Sequence, residues 1–268
     1  MDEIKKFCVI GLPAKHSLSP IIHKEFAKQQ GIDIQYKVIE PDTEEHFETH
    51  AQSFFSKKGY GANITIPFKE QAYNFADSYD ESAIECSCTN TLMLKDNEIR
   101  AFNTDGQGFI NDLVKKSISL LKKDILILGA GGSARSIINS LTKEDVQSIN
   151  ILTRTNDKAT RLIDKYKDSC DISMYKDDSK YDIIINTTPV SLIKSEIHFP
   201  VSIFKPNSSS YDLFYSKNNT SFQDWSKNNG AKKSYNGLGM LIEQAALSFN
   251  IWNGFKPDTE ALYKKLGF

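Results

Sequence analysis

A run of four aliphatic residues that leads into a glycine-rich loop constrains the fold more than any other part of this chain. Residues 125–128 predict a central strand of a parallel sheet, because such strands are buried on both faces. After them, Gly129 suits a tight turn, Gly131 lets the backbone approach a pyrophosphate, and Ala134 allows close packing of a helix on the strand. The free N–H groups at the start of that helix attract phosphate. We therefore expect a dinucleotide at the loop formed by Gly129, Ala130, Gly131, Gly132, Ser133 and Ala134.

The residues around this loop alternate between apolar and amphipathic segments, which predicts a doubly wound parallel sheet. Strands are expected at residues 125–128, 148–153, 172–175, 182–186 and 210–213. Helices are expected between the first three of these strands, ending near Leu141 and Tyr166. This half of the chain is therefore predicted to be a Rossmann-type domain.

The end of the second predicted strand indicates which dinucleotide binds. An NAD site usually has Asp or Glu there, to hold the ribose 2′-hydroxyl. This chain has Thr153, Arg154 and Thr155 at that point, and Lys158 one turn later. Cations and hydroxyls suit a 2′-phosphate, so the sequence favours NADP. The alternative is that Arg154 is an ordinary solvated arginine, and a lysine on a helix surface is common.

The first hundred residues also alternate short strands with helices, and we expect them to have a function other than binding the nucleotide. Strands are predicted at 6–10, 35–39, 61–66, 91–95 and 99–103, the last two forming a hairpin, and helices at 20–30, 44–58, 67–76 and 106–116. Helices near 238–249 and 258–266 follow the nucleotide unit, and we expect them to return to the first domain. We thus predict a catalytic domain of residues 1–105 and 238–268, an NADP-binding domain of residues 106–237, and a cleft between them.

Composition excludes several classes of function. The 268 residues include 33 Lys and Arg against 34 Asp and Glu, a balance that does not favour binding to nucleic acid or to an anionic membrane. No apolar run reaches the roughly 20 residues of a membrane span, and residues 7–11 are too short for a signal peptide. The four cysteines form no evident disulfide framework, so a reducing cytoplasm is expected. Packing is a better explanation for Cys86 and Cys88 than half a metal site, because no second pair of ligands accompanies them.

Polar residues occur in the first half where a plain scaffold would not need them. Ser17 and Ser19 precede a helix, where one serine would suffice as an N-cap and the other is free for a ligand oxygen. Asn63 and Thr65 alternate along a predicted strand and so point to one face, where burial is costly unless something bonds them. Lys69 follows at a helix start, where a cation opposes the helix dipole, although a solvated helix face would also accept it.

Eight motifs in one order resemble the shikimate dehydrogenase family, which includes quinate dehydrogenases. They are Ser17–Pro20, Asn63–Lys69, Thr89–Thr91, Asn103–Gly106, Gly129–Gly132, Thr153–Thr155, Asn186–Pro189, and Asn236–Met240 with the downstream Gln244. The resemblance covers nearly the whole chain. It implies NADPH-dependent, reversible reduction of 3-dehydroshikimate to shikimate, in the biosynthesis of chorismate and the aromatic amino acids. A monomer or a homodimer is expected.

The resemblance also implies the roles of individual residues. Lys69 and Asp105 would be the catalytic pair, although Asp105 could also cap the following helix. Ser17 and Ser19 would bind the substrate carboxylate with the help of Tyr215. The ring hydroxyls would be bound by Thr65, Asn90, Asp105 and Gln244, supported by Asn63, and further cofactor contacts would come from Thr187, Leu213 and Gly237.

Alternatives remain open at this point. A close relative could use quinate or accept NAD, and a non-catalytic shikimate sensor could share the scaffold, although it should lack the Lys69 and Asp105 pair. A Rossmann protein of other chemistry, such as a folate-linked dehydrogenase, would not need the Ser17–Pro20 turn. The chain also departs from the usual family pattern at Thr153 and at Ser216 and Lys217.

Overall fold

The computed structural model describes residues 4–266, which divide into two compact units. Residues 4–108 and 241–266 form the first unit, and residues 109–240 form the second. The strands are β1 (Lys5–Ile10), β2 (Ile34–Ile39), β3 (Gly59–Ile64), β4 (Ser78–Tyr79), β5 (Thr91–Lys95), β6 (Glu98–Phe102), β7 (Asp124–Leu128), β8 (Ser148–Leu152), β9 (Ile172–Met174), β10 (Tyr181–Asn186), β11 (Phe204–Asp212) and β12 (Lys233–Asn236). The helices are α1 (Ser19–Gln30), α2 (Phe47–Ser56), α3 (Lys69–Phe75), α4 (Glu81–Cys86), α5 (Asp105–Lys115), α6 (Gly132–Leu141), α7 (Asn156–Tyr166), α8 (Ser221–Asn228), α9 (Leu238–Asn253) and α10 (Glu260–Leu266).

The first unit is built on a mixed sheet with the strand order β2-β1-β3-β5-β6-β4. Strand β1 lies parallel to β2 and β3, whereas β5 lies antiparallel to both β3 and β6. The predicted hairpin is confirmed: β5 and β6 are joined through Asp96 and Asn97, whose φ angles of 52° and 65° suit such a tight turn. Helix α9 contributes Trp252, which stacks on Phe7 of β1, so the C-terminal residues complete the core of this unit.

The second unit contains a parallel sheet with the strand order β12-β11-β10-β7-β8-β9. All five strand pairs run parallel, so the predicted doubly wound sheet is confirmed. Four consecutive residues of β7, Ile125–Leu128, are fully buried, as expected for a strand covered on both faces. The chain order reverses between β7 and β10, and dinucleotides bind at the carboxyl ends of the strands at such a point.

Several predicted boundaries were wrong. Strand β3 ends at Ile64, so Thr65 follows the strand rather than alternating along it, although its N–H still bonds to the Ile10 carbonyl. The helix expected from Pro67 begins at Lys69, and the helix expected over 44–58 is a 3-10 turn followed by α2.

Some elements were not predicted at all, namely β4, α4, α8 and β12. Strand β11 begins at Phe204, not at residue 210, and its register against β10 shifts between Tyr181 and Ile183. This irregularity accommodates the polar residues that made the segment resemble a loop. Within residues 4–266, no helix is long and apolar enough to cross a membrane, and all four cysteines are free.

Candidate active site

Lys69 and Asp105 form a buried ion pair in the first unit. The Lys69 Nζ lies 2.6 Å from the Asp105 Oδ2, and the two side chains are only 10% and 7% exposed. Their positions follow from the strands before them, because α3 begins at Lys69 just after β3 and α5 begins at Asp105 just after β6. A buried charge is costly unless it is paired, so this arrangement holds an ammonium group and a carboxylate together in one place.

Asn90 holds the second oxygen of Asp105. Its Nδ2 donates to the Asp105 Oδ1 at 2.8 Å and to the Gln244 Oε1 at 3.0 Å. The orientation of this amide is unambiguous, because its Oδ1 accepts from the backbone N–H of Thr104 at 2.9 Å. The Asp105 carboxylate therefore faces Lys69 and Asn90, so capping of α5 does not explain its position.

A chain of hydroxyl groups connects the two serines to Asn63. The Ser17 hydroxyl donates to the Ser19 Oγ at 3.1 Å and accepts from the Ser19 N–H at 3.2 Å. Burial raises the pKa of the Tyr36 phenol, while a side-chain hydrogen bond with Ser19 opposes that effect. The Tyr36 hydroxyl donates to the Asn63 Oδ1 at 2.7 Å. The N-cap of α1 is Leu18, without a side-chain capping bond, so N-capping does not account for either serine.

Three further hydroxyls, which the sequence did not indicate as site residues, continue this chain to Asn90. The Asn63 Nδ2 donates to the Ser248 Oγ at 3.1 Å, and this hydroxyl lies 2.7 Å from the Thr91 Oγ1 and 3.2 Å from the Thr104 Oγ1. Thr91 also donates to the Asn90 Oδ1 at 3.0 Å. One signal could have found Ser248: it lies four residues after Gln244, on the same face of α9.

Thr65 is placed differently from the other predicted substrate contacts of the first unit. It is half-buried after β3, and its methyl group packs against Gly11. A Cβ added to Gly11 would lie 2.2 Å from the Thr65 Cγ2, so a larger residue at this position would force the Thr65 side chain to move. Within the first unit, the hydrogen-bonded chain thus brings together Ser17, Ser19, Asn63, Lys69, Asn90, Asp105 and Gln244, with Thr65 outside it.

In the second unit, the glycine loop lies between β7 and α6, with Gly132, Ser133 and Ala134 in the first turn of the helix. Gly129 has a φ of 106°, and an added Cβ would lie 2.6 Å from the Thr187 Oγ1, so this position requires glycine. No atom lies within 4 Å of a Cβ added to Gly131, which leaves open space over the backbone there. The loop and the helix N-terminus therefore have the form that a pyrophosphate requires.

The residues predicted to bind the 2′-phosphate follow the neighbouring strand β8. Arg154 and Lys158 are exposed, and the N–H of Thr155 donates to the Thr153 Oγ1 at 3.3 Å. Helix α7 begins at Asn156, so its free N–H groups lie next to these cations. Positive side chains beside a helix N-terminus form a suitable site for a phosphate.

The remaining predicted contacts lie at the carboxyl ends of β10, β11 and β12. Thr187 donates to the Leu128 carbonyl from its N–H at 3.0 Å and from its hydroxyl at 2.8 Å. A Cβ added to Gly237 would lie 2.1 Å from the Leu213 carbonyl oxygen, so these two residues pack closely. Tyr215 stacks on Phe214, with ring centroids 6.0 Å apart.

Among the described residues, no group of three His, Cys, Asp or Glu could hold a metal ion.

Three family models match the chain. Residues 9–92 match the shikimate dehydrogenase substrate binding domain, residues 112–195 match the shikimate / quinate 5-dehydrogenase family, and residues 237–266 match the shikimate 5′-dehydrogenase C-terminal domain. The shikimate dehydrogenase (NADP(+)) of Vibrio campbellii is 40% identical over 98% of this chain and 96% of its own length. That of Colwellia psychrerythraea is 39% identical over 97% and 96%.

Solved structures agree with these matches. The shikimate dehydrogenase of Aquifex aeolicus is 28% identical and superposes with a TM-score of 0.87, covering 100% of this chain and 99% of its own. The Thermus thermophilus enzyme in complex with NADP(H) and shikimate is 28% identical, with a TM-score of 0.86 and coverage of 97% and 98%. Relatives that are this similar over their whole length show that this chain belongs to the shikimate dehydrogenase family.

Proposed function

We propose that this protein is an NADP-dependent shikimate dehydrogenase that reversibly reduces 3-dehydroshikimate to shikimate, on the route to chorismate and the aromatic amino acids. The observation that carries the proposal is the buried pair of Lys69 and Asp105, 2.6 Å apart. Lys69 lies within the residues that match the substrate binding domain of the family, and Asp105 follows shortly after them. A non-catalytic sensor would have no need of such a pair, whereas reduction of a ketone requires a proton donor beside the reacting oxygen.

Lys69 is the group that moves the proton. Bound NADPH supplies the hydride that reduces the carbonyl carbon. The Lys69 ammonium stabilises the negative charge that develops on the carbonyl oxygen and then donates a proton to it from Nζ. Asp105 accepts hydrogen bonds at both oxygens, from Lys69 and Asn90, so its role is to orient the ammonium. In the oxidation of shikimate, Lys69 takes the hydroxyl proton back.

The other residues of the first unit bind the substrate. Ser17 and Ser19 bind the carboxylate, and the ring hydroxyls are held by Thr65, Asn90, Asp105 and Gln244, with support from Asn63. These roles require side chains in defined orientations, which the chain of hydrogen bonds from Ser17 to Asp105 supports. The first unit is accordingly the substrate-binding catalytic domain.

The second unit is the NADP-binding domain. The loop at 129–134 would hold the pyrophosphate, and Thr153, Arg154, Thr155 and Lys158 would bind the 2′-phosphate. Thr187, Leu213 and Gly237 contact the rest of the cofactor. The four cysteines are free, which suits a cytoplasmic enzyme. The protein acts as a monomer or a homodimer and binds neither nucleic acid nor a membrane.

The test is an assay of purified protein with shikimate and NADP⁺, monitored by the absorbance of reduced nicotinamide. We expect steady turnover that stops when Lys69 is replaced by alanine. Quinate and NAD⁺ are assayed in parallel, because one matching family model includes quinate dehydrogenases. A folded protein that produces no reduced nicotinamide from shikimate would disprove the proposal.

A further inference from the structure

A buried carboxylate at the end of β11 joins four segments of the second unit. The side chain of Asp212 is completely buried. Its Oδ2 accepts hydrogen bonds from the hydroxyls of Ser191 and Thr220, each at 2.6 Å. Its Oδ1 accepts from the Asn186 Nδ2 at 2.9 Å and from the backbone N–H of Phe214 at 3.2 Å. We refer to these five residues as the Asp212 cluster.

The Asp212 cluster contains one carboxylate and four donors directed at it. Burial raises the pKa of Asp212, and the hydrogen bonds from Ser191 and Thr220 oppose that effect. A buried carboxylate lowers the stability of the fold. We therefore infer that its function is to orient the groups that donate hydrogen bonds to it. If the carboxylate were removed, the amide, the backbone N–H and the two hydroxyls would each lose one hydrogen bond.

One member of the cluster, Asn186, contacts two segments that contain predicted cofactor contacts. The Asn186 Oδ1 accepts from the N–H of Thr188 at 3.1 Å and from its hydroxyl at 2.6 Å, which holds the backbone on either side of Thr187. The N–H of Leu213 donates to the Asn186 carbonyl at 3.0 Å. Thr187 thus lies between Asn186, which donates to Asp212, and Thr188, which donates to Asn186. Leu213 lies between Asp212 and Phe214, whose N–H donates to the same carboxylate.

The same contacts reach the end of β12. The Phe214 carbonyl accepts from the N–H of Gly237 at 3.0 Å, and the Phe214 N–H is bonded to Asp212. On the opposite side, Thr220 is the N-cap of α8 and forms a capping box with Gln223. Asp212 thus links the ends of β10, β11 and β12 to the start of a helix.

The strand order indicates which part of NADP lies at these ends. In a doubly wound sheet, each half binds one of the two nucleotides of the cofactor. Strands β7, β8 and β9 carry the glycine loop and Arg154, so they bind the adenosine half with its 2′-phosphate. Strands β10, β11 and β12 are left for the nicotinamide half.

We propose that Asp212 is a positioning residue for the nicotinamide half of NADP, acting through Thr187, Leu213 and Gly237, and that it has no influence on the site of the 2′-phosphate. This inference rests on the function proposed above. Asp212 is not one of the expected cofactor contacts, and its carboxylate faces other protein groups.

The experiment compares Asp212→Asn with the unchanged protein, using two ligands. The first is NADP⁺, for which kcat/KM is measured at saturating shikimate. The second is adenosine 2′,5′-bisphosphate, a fragment without nicotinamide, for which Kd is measured by titration calorimetry. We expect kcat/KM for NADP⁺ to fall about tenfold, the size of effect produced when hydrogen bonds to a buried charged group are lost. The Kd of the fragment should change less than about twofold.

Two control variants make the comparison specific. Asp182→Asn removes a carboxylate near the amino end of β10, where it pairs with Lys205, and should leave both measurements unchanged. Arg154→Ala should weaken both ligands. Equal weakening of the two ligands by Asp212→Asn would overturn the proposal, and so would unchanged kcat/KM. Failure of the proposed function itself is recognised separately, because the unchanged protein would then show no turnover of shikimate.

A second pair of variants applies if Asp212→Asn does not fold. Ser191→Ala removes one donor but leaves the carboxylate, and it should lower kcat/KM for NADP⁺ about fivefold without affecting the fragment. Thr220→Ser keeps the hydroxyl and should retain full kcat/KM. If Ser191→Ala weakens the fragment as much as NADP⁺, or changes neither, the positioning role is wrong.

Discussion

At the scale of single residues, the geometry of the site is set by the donor to which each hydrogen-bond acceptor is bonded. The Asp105 carboxylate accepts from Lys69 on one oxygen and from Asn90 on the other. If the Asn90 amide were flipped, its Nδ2 would face the Thr104 N–H, and two donors would oppose each other. The Thr104 N–H therefore fixes the orientation of this amide. The ammonium of Lys69 is therefore held in one direction, which is the preorganisation that its proposed catalytic role requires.

Replacement of this lysine tests whether it acts in the reaction or in binding. We expect Lys69→Ala to lower kcat about 10²–10⁴-fold, the range for loss of a general acid. The Kd of shikimate should change less than about fivefold, because the other polar groups of the site remain. Lys24→Ala, at an exposed position on α1, is the matched control and should leave kcat unchanged. Loss of binding as large as the loss of rate would make Lys69 a ground-state contact instead.

Tyr36 offers a second test, because its hydroxyl links Ser19 to Asn63. In Tyr36→Phe the Asn63 Oδ1 loses the donor that lies 2.7 Å away. We expect KM for shikimate to rise about fivefold with a smaller change in kcat, because Lys69 and Asp105 keep their contacts. Tyr79→Phe is the control, since its hydroxyl donates to the nearby Ala76 carbonyl and not to a residue of the hydroxyl chain. An unchanged KM would show that the hydroxyl chain does not orient the substrate contacts.

At the scale of elements, local sequence pattern accounts for most of the fold. The aliphatic run at 125–128 and the turn at 96–97 are decided by nearest neighbours, and both were placed correctly. The start of β11 was placed wrongly, because polar residues such as Ser209 and Ser210 form a strand only when β10 is beside them. Helix α8 was also missed, although the capping box of Thr220 and Gln223 is visible in the sequence.

The same distinction applies to the candidate site. Residues in short motifs, such as Asn63 and Lys69, could be named from the sequence because they are close together in the chain. Tyr36 could not, since it is brought to Asn63 from a distant element, β2, and Ser248 of α9 could be found only through its spacing from Gln244. No local pattern encodes a hydrogen bond between such distant positions.

The junction of β8 and α7 provides the prediction at this scale. We expect Arg154→Ala to raise KM for NADP⁺ about 10–100-fold, because a charge-assisted hydrogen bond to the 2′-phosphate is lost. KM for NAD⁺, which lacks that phosphate, should change little, so the ratio of the two specificity constants is the measurement. Arg161→Ala, on the exposed surface of the same helix, is the control. If both cofactors were affected equally, Arg154 would not be the residue that distinguishes them.

At the scale of the whole molecule, the chain divides at residues 108 and 240, and α5 and α9 each cross one of these boundaries. The C-terminal residues return to the first unit, where α9 supplies Gln244, Ser248 and Trp252. The hydrogen-bonded side chains from Ser17 to Ser248 thus belong to one unit, although 132 intervening residues, 109–240, belong to the other. Folding of the first unit therefore depends on contacts between distant parts of the chain, among them those of a buried histidine.

His23 makes the stability of the chain dependent on pH. It is fully buried, stacks on Tyr36 with ring centroids 4.6 Å apart, and lies near Trp252 and Phe249. Burial lowers its pKa from 6.5 to about 3, so the folded state holds the imidazole neutral. Between these two values the unfolded chain binds a proton that the folded chain does not, so the free energy of unfolding must fall as the pH falls below 6.5.

The size of this effect follows from the two pKa values. Between about pH 7.5 and about pH 5, His23 should cost the folded state about 2 kcal/mol, with the full effect reached only near its folded-state pKa. Urea denaturation at both pH values measures the change, and His23→Phe removes the titrating group while keeping an aromatic ring. Because other groups titrate equally in both proteins, the variant should lose about 2 kcal/mol less than the unchanged protein over this interval. Identical losses would mean that the folded chain accommodates a charged imidazole, which burial among aromatic rings does not allow.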